Sequence, residues 1–202
     1  MRKIFITGIG TGIGKTIVSA VITEALQADY WKPIQAGLVD GTDSETVKNL
    51  IRNSKTKIHP EAFRLAMPAS PHTAAAAENI SINIKDFQLP HTTNNLVIEG
   101  AGGLMVPLSE KELVIDLIEA LQTEVVVVMR HYLGSINHSL LTLQALKSRK
   151  LNVKGIIISG APNEQSEKAI LSFSDYKIIG RIGEEKTFTK AVVSGYAQKI
   201  LL

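Results

Sequence analysis

The segment that most restricts how this chain can fold is Gly8-Ile9-Gly10-Thr11-Gly12-Ile13-Gly14-Lys15-Thr16. It follows a short apolar run, Lys3 to Thr7, and opens a stretch of helical period from Thr16 to Ala28. In that stretch Val18, Val21, Ile22, Ala25 and Leu26 share one stripe, as a helix packing on a sheet requires. A strand that enters a glycine-rich turn and leaves as a helix makes a phosphate cradle. Backbone N–H groups converge on phosphate oxygens, and the helix contributes the positive end of its dipole. In such a loop Lys15 reaches the β- and γ-phosphates, and the Thr16 hydroxyl coordinates Mg²⁺. The usual spacing puts the first glycine at position 9, where this chain has Ile, so a loop starting at Gly8 is one residue longer.

The rest of the chain repeats the alternation. Apolar runs rich in Ile and Val occur at 3–7, 30–34, 96–99, 125–129, 155–159 and 178–182. They lack polar alternation, which predicts strands buried on both faces. Amphipathic stretches at 16–28, 43–52, 114–121, 135–147 and 164–173 separate them. This order predicts an α/β fold: an open, doubly wound, mainly parallel sheet with helices on both faces, of the P-loop NTPase type. The stretch from 58 to 93, punctuated by Pro60, Pro68, Pro71 and Pro90, is the least regular, with a short helix expected at 74–78. No repeat or linker divides the chain, so residues 1–202 are expected to form one nucleotide-binding domain.

Composition removes whole classes of function. The absence of cysteine excludes a disulfide scaffold, thiolate metal sites and a cysteine nucleophile. A net charge of +3 comes from scattered lysines without a basic run, so neither nucleic acid nor a membrane surface is an expected partner. The run at 125–129 is far short of the ~20 residues of a spanning helix. The basic N-terminus leads into too short an apolar stretch for a secretion signal, and a cytoplasmic location is expected. The five histidines show no metal-ligand spacing.

Other residues qualify as site candidates. Lys32, in Trp31-Lys32-Pro33-Ile34-Gln35-Ala36-Gly37, ends a strand, where ligands bind in open α/β sheets. Asp43 starts a helix, either as a capping carboxylate or as an acidic partner for the metal on Thr16. Glu99 ends an apolar strand, as metal-binding carboxylates of nucleotide hydrolases do, and Gly100-Ala101-Gly102-Gly103 lets a ligand approach the backbone. The stretch Tyr132–His138 is either an anion nest or a strand–helix connection capped by Ser135.

Together these residues resemble the dethiobiotin synthetase family. The family shares the six-residue step from first glycine to Gly-Lys-Thr, the Lys-Pro-x-x-x-Gly loop of Lys32 to Gly37, and an acid at Asp43. It also shares Ser70-Pro71-His72, Glu99 to Gly103 followed by Pro107-Leu108, and Leu133-Gly134-Ser135-Ile136-Asn137-His138. The resemblance implies an ATP-dependent cyclo-ligase of biotin synthesis. Such an enzyme carboxylates 7,8-diaminopelargonic acid with CO₂ or bicarbonate and closes the ureido ring, by way of a carbamate and a carbamic–phosphoric anhydride.

It implies catalytic roles for Lys32, Lys15 and Thr11, and Mg²⁺ on Thr16, Asp43 and Glu99. ATP would be held by Gly12, Ile13, Gly14, Lys15, Thr16, Ile17, Asp43, Glu99, Gly100, Ala101, Gly102 and Ser159. Substrate would meet Lys32, Ala36 and Gly103, with Ser135, Ile136 and Asn137 reaching over from the second subunit of a homodimer. Leu104, Met105 and Val106 are candidates to line the substrate's alkyl chain.

The chain departs from the family at three places. Ala36 stands where many members carry Ser or Thr, which leaves Gln35 as the candidate replacement contact. Ser159 falls at the adenine-reading Asn, and Gly183 at a usual Pro, so ATP is expected to bind mainly through its phosphates. Gly10 stands where partitioning ATPases have their signature Lys, and no Asn/Thr-Lys-x-Asp guanine motif occurs. A non-catalytic nucleotide switch or regulatory ATPase, in which Lys32 is dispensable, is the alternative.

Overall fold

A single seven-stranded sheet, every pairing in it parallel, forms the centre of the computed structural model, which describes residues 1–39 and 41–201. The chain runs through β1 (Lys3–Gly8), α1 (Lys15–Leu26), β2 (Asp29–Trp31), β3 (Ile34–Ala36), α2 (Asp43–Leu50) and β4 (Ile58–His59). It continues through β5 (Phe63–Leu65), α3 (Pro71–Ala77), a 3₁₀ turn (Ile84–Asp86), β6 (Leu96–Glu99), α4 (Val114–Leu121) and β7 (Glu124–Met129). It finishes with α5 (Ser135–Ser148), β8 (Val153–Ser159), α6 (Glu164–Ser172), β9 (Ile178–Ile182) and α7 (Lys190–Ala197). The strand order is β4-β2-β6-β1-β7-β8-β9. Ile4 to Ile6, Val97, Ile98 and Val125 to Val128 have no exposed surface, which accounts for the unbroken apolar runs: both sheet faces are covered.

The topology places the site. From the central β1, α1 carries the chain across β6 to β2, whereas α4 carries it from β6 across β1 to β7. Right-handed crossovers in opposite directions put α1 and α4 on opposite faces. Packing agrees: α1 lies against α2 and α7, while Val114 and Leu117 of α4 line a small void together with Phe5. The reversal at β1 opens a crevice beyond the carboxyl ends of β1, β2 and β6.

Three expectations need correction. The run at 30–34 is not one strand. It breaks at Lys32-Pro33, so that β2 stays in the main sheet while β3 pairs with β5 in a separate two-stranded sheet. Pro33 has no N–H for a ladder, and its carbonyl instead accepts from Ala62 and Phe63 at 2.9 and 3.0 Å. The irregular 58–93 stretch contains β4 and β5, two and three residues long and too short for a periodic signal, and its helix begins earlier than expected, at Pro71. Helix α7 was not anticipated. Thr189 caps it by accepting the Val192 N–H, and it covers α1.

Candidate active site

The glycine loop returns Lys15 into the crevice. Gly12 and Gly14 hold φ of +71° and +93°, a left-handed backbone that side chains resist, and this lets α1 start at Lys15 with Gly14 as its N-cap. Lys15 is buried, and its ammonium donates to the Gly10 carbonyl at 2.7 Å. Burial, opposed by Glu99 and Asp43 and reinforced by Lys32, lowers its pKa to about 8.

One residue on, the Thr16 hydroxyl lies 2.7 Å from Asp43 Oδ1 and 2.9 Å from Glu99 Oε1. A hydroxyl has one proton and can satisfy only one of them at a time. Lys32 joins the same cluster. Its Nζ stands 2.6 Å from Asp43 Oδ2 and 3.2 Å from Glu99 Oε1, and it donates to the Gly100 carbonyl at 3.1 Å. Burial alone would lower the Lys32 pKa, but Glu99 and Asp43 outweigh it and hold the ammonium above its ordinary value. Burial would likewise raise the Asp43 pKa, yet Lys32 and Thr16 keep it low. Asp43 and Glu99 both lie against the Lys32 ammonium, Glu99 fully buried and Asp43 at the edge of the crevice.

Each carboxylate has its own support. Asp43 does not cap its helix. Thr42 does, in a capping box with Glu45, and this leaves the Asp43 side chain free for Thr16 and Lys32. The Asp43 N–H is bound by Gln35 Oε1 at 3.0 Å, while the Gln35 amide donates to the Gly37 carbonyl at 3.1 Å. Gln35 thus bonds to the backbone on both sides of its amide while it lines the cavity beside Ala36. On the far side, the buried Tyr30 donates its phenol proton to Glu99 Oε2 at 2.9 Å. Burial and the neighbouring Glu99 push its pKa well above the ordinary value, so it remains a donor. Tyr30 was missed by the sequence reading, because in an apolar run a tyrosine reads as core.

Lys15, Thr16, Lys32, Gln35, Asp43 and Glu99 line a cavity of about 720 Å³, together with Thr11, Gly12, Gly14, Ile17, Ile34, Ala36, Ala101, Gly102, Val106 and the Pro68–Pro71 turn. Of the expected residues, Ile13 is buried beneath the loop, and Gly100 contributes its carbonyl to Lys32. Gly103 lies against the Gly8 and Gly10 backbone and lines an adjoining hollow of about 510 Å³ with Thr11, Leu104, Met105 and Val106. Ser159 packs its Oγ against Gly14 and does not line the larger cavity. Ser135, Ile136 and Asn137 form the first turn of α5, also away from it. Gly134, with φ +96°, occupies the cap position expected of Ser135.

An AAA domain family model matches residues 2–192. ATP-dependent dethiobiotin synthetases from Cytophaga hutchinsonii and Christiangramia forsetii are each 51% identical to the chain, over 201 and 198 residues. The alignments cover 99% and 98% of this chain and 97% and 95% of those proteins. The chain belongs to the ATP-dependent dethiobiotin synthetase family.

A further member of the dethiobiotin synthetase family, from Chlamydia pneumoniae, is 44% identical over 98% of the chain and 89% of itself. Solved structures extend the fold beyond the synthetases. The MinC:MinD cell division complex of Aquifex aeolicus matches with a TM-score of 0.60 at 14% identity, over 98% of this chain and 92% of that one. A ParA family ATPase from Chlorobium tepidum TLS matches with a TM-score of 0.56 at 13% identity, over 98% and 99%. Those likenesses establish the P-loop architecture alone. No helix among the described residues is long and apolar enough to cross a membrane.

Proposed function

We propose that the chain forms dethiobiotin from 7,8-diaminopelargonic acid, CO₂ and ATP, releasing ADP and phosphate. The observation that carries the reading is the convergence of Lys15, Thr16, Lys32, Asp43 and Glu99 on one cavity. One substrate amine adds to the carbon of CO₂ and loses a proton, giving a carbamate. A carbamate oxygen attacks the γ-phosphorus, the bond to the ADP oxygen breaks, and a carbamic–phosphoric anhydride forms. The second amine attacks the anhydride carbonyl and loses a proton. The C–O bond to phosphate breaks, and the ureido ring closes.

The reacting oxygens are anionic throughout, so charge neutralisation and positioning dominate the barrier. Lys15 contacts the phosphates together with the N–H groups of residues 12–17, and Lys32 turns from its carboxylates toward the carbamate and γ-phosphate. Thr11, in the wall shared with the adjoining hollow, and Gly103, which lines that hollow, face substrate. The donor set fits Mg²⁺. Mg²⁺ takes hard oxygen ligands, and a hydroxyl beside two carboxylates is such a set. Thr16 Oγ1 stands 2.7 and 2.9 Å from the two carboxylates. Thr16, Asp43 and Glu99 would hold the ion, and it would supply positive charge to the phosphates in the cavity.

The rest of the reading is a cytoplasmic homodimer of single-domain chains. Exposed apolar side chains at Met105, Tyr132, Leu133, Ile136 and Leu141 surround the start of α5, a surface that a second copy would cover. Ser135, Ile136 and Asn137 then serve the partner's cavity. ATP is held mainly through its phosphates, with Ser159 against the loop glycine and no long amide side chain at that strand end.

ADP release by the purified protein tests the reading. Turnover is expected to require the diamine and bicarbonate together, and ADP release independent of the diamine would favour the regulatory ATPase. CTP or GTP is expected to support turnover within about tenfold of ATP, a difference of ~1.4 kcal/mol in transition-state binding. A sharper loss would mean that the base is read.

A further inference from the structure

We infer that Tyr30 is a positioning residue for the reaction: its phenol fixes the rotation of the Glu99 carboxylate, so that one carboxylate oxygen faces Thr16, Lys32 and the metal. This rests on the assignment of Thr16, Asp43 and Glu99 to Mg²⁺ proposed above.

The geometry comes from strand register. Tyr30 stands opposite Val97 in the parallel pairing of β2 with β6, so Glu99 is its diagonal neighbour two residues further along. Such neighbours lie about 7–8 Å apart between Cα atoms, within reach of an aromatic side chain but not of a short one. The phenol covers that gap and ends 2.9 Å from Glu99 Oε2. Both residues are almost wholly buried, Tyr30 at 0% and Glu99 at 1% exposure.

The division of labour at the carboxylate is complete. Oε1 meets Thr16 and Lys32, whereas Oε2 meets Tyr30. A carboxylate turns about its last bond with little resistance, because sp² torsions of this kind are broad. With Oε2 anchored, the carboxylate offers one oxygen to the crevice and keeps the other inside the sheet–helix layer. Without that anchor it can rotate, and the oxygen aimed at Thr16 is no longer held. Asp43 is placed differently, through the Gln35 bond to its backbone, so the two carboxylates have independent supports.

The test is Tyr30→Phe, which keeps the ring and its packing and removes only the hydroxyl. Binding of Mn²⁺, a paramagnetic stand-in for Mg²⁺, is followed by electron paramagnetic resonance with a non-hydrolysable ATP analogue present. Affinity of the analogue without metal and the thermal midpoint are measured alongside. Mn²⁺ binding is expected to weaken about tenfold, at the low end of what losing a partner behind a metal ligand costs. Metal-free analogue affinity should be unchanged. In a Glu99→Gln background, Tyr30→Phe should have no further effect on Mn²⁺.

Unchanged Mn²⁺ affinity in Tyr30→Phe would overturn the inference. So would additive losses in the double variant, or equal losses with and without metal. A Tyr30→Phe protein that does not fold would also overturn it, by making the hydroxyl a support of the fold rather than of the metal set. If the wild type itself takes up no Mn²⁺ with the analogue, the metal assignment fails, and that result is separate from the Tyr30 result.

Discussion

Asp29 begins the three-residue strand β2 and Lys32 follows its end, and each belongs to a buried charge cluster, yet the clusters have different properties. At the start of β2, Asp29 Oδ2 meets His59 Nε2 at 2.9 Å, while Oδ1 accepts from the Lys57 N–H and the Asn94 amide. At its end, Lys32, Asp43, Glu99 and Thr16 crowd together at the wall of a cavity of about 720 Å³. Even the reach is similar: His59 stands opposite Trp31 and stretches back two positions to Asp29, as Tyr30 stretches forward two to Glu99. The first cluster has a full complement of partners around one carboxylate and lines none of the cavities described above. The second has two carboxylates that share the Thr16 and Tyr30 hydroxyl protons and a single Lys32 ammonium, a set with less positive than negative charge that an added cation improves. Buried charge alone does not mark a site. Buried charge that is under-supplied with donors and opens on a cavity does.

That contrast can be broken at several points. The largest effect is expected at Lys32: Lys32→Ala should lower kcat/KM for ring closure by about 10²–10³, the usual loss for one preorganised charge-stabilising donor. Steady-state ADP release with diamine and bicarbonate measures it, and near wild-type turnover would remove Lys32 from the mechanism. Asp29→Ala should do the reverse. Leaving His59 and the Lys57 N–H without their partner should cost about 1–3 kcal/mol of stability in urea unfolding, with kcat/KM within about twofold of wild type. A large loss of activity in the folded variant would show that the two ends of β2 are coupled.

Acid separates the clusters further. Burial would raise the Asp29 pKa, but the Lys57 N–H, His59, Thr92 and Asn94 outweigh it and hold it below its usual value. A depressed carboxyl pKa adds stability that is present above the unfolded-state pKa of about 3.9 and is lost as pH falls through the lower folded value. Urea midpoints of Asp29→Asn should therefore fall less steeply below about pH 4 than those of wild type. Equal slopes would mean that Asp29 contributes nothing to the acid limb. The smallest effect is expected at Thr42. Thr42→Ala removes the capping box that leaves Asp43 free, and should cost about 1 kcal/mol. A modest rise in the Mg²⁺ concentration needed for half-maximal turnover should accompany it, and thermal unfolding with a Mg²⁺ titration checks both.

The contiguous parts of the site were legible in the sequence because their chemistry is local. The spacing from Gly8 to Thr16, the strand ending at Glu99 and the lysine ending a strand at 32 all report position within one element or turn. The helices at 114–121 and 135–148 were legible for the same reason, since a stripe at helical spacing needs only its own residues. What escaped lacked a period or a neighbour in the chain. β4 and β5 have two and three residues, and α7 is eight residues long, holds a glycine and buries only Val193.

By itself the sequence determined the parallel sheet, the phosphate loop and the presence of two acids and two lysines suited to a nucleotide and a metal. Only the tertiary structure decided how those charges are shared. The register of β2 on β6 brings the Tyr30 phenol to Glu99, and the break at Pro33 sends Gln35 to the backbone of Asp43. The physical reason is range. Periodicity and turn chemistry act over a few residues, whereas strand register and the meeting of α2 with β3 join residues that the linear order does not place side by side.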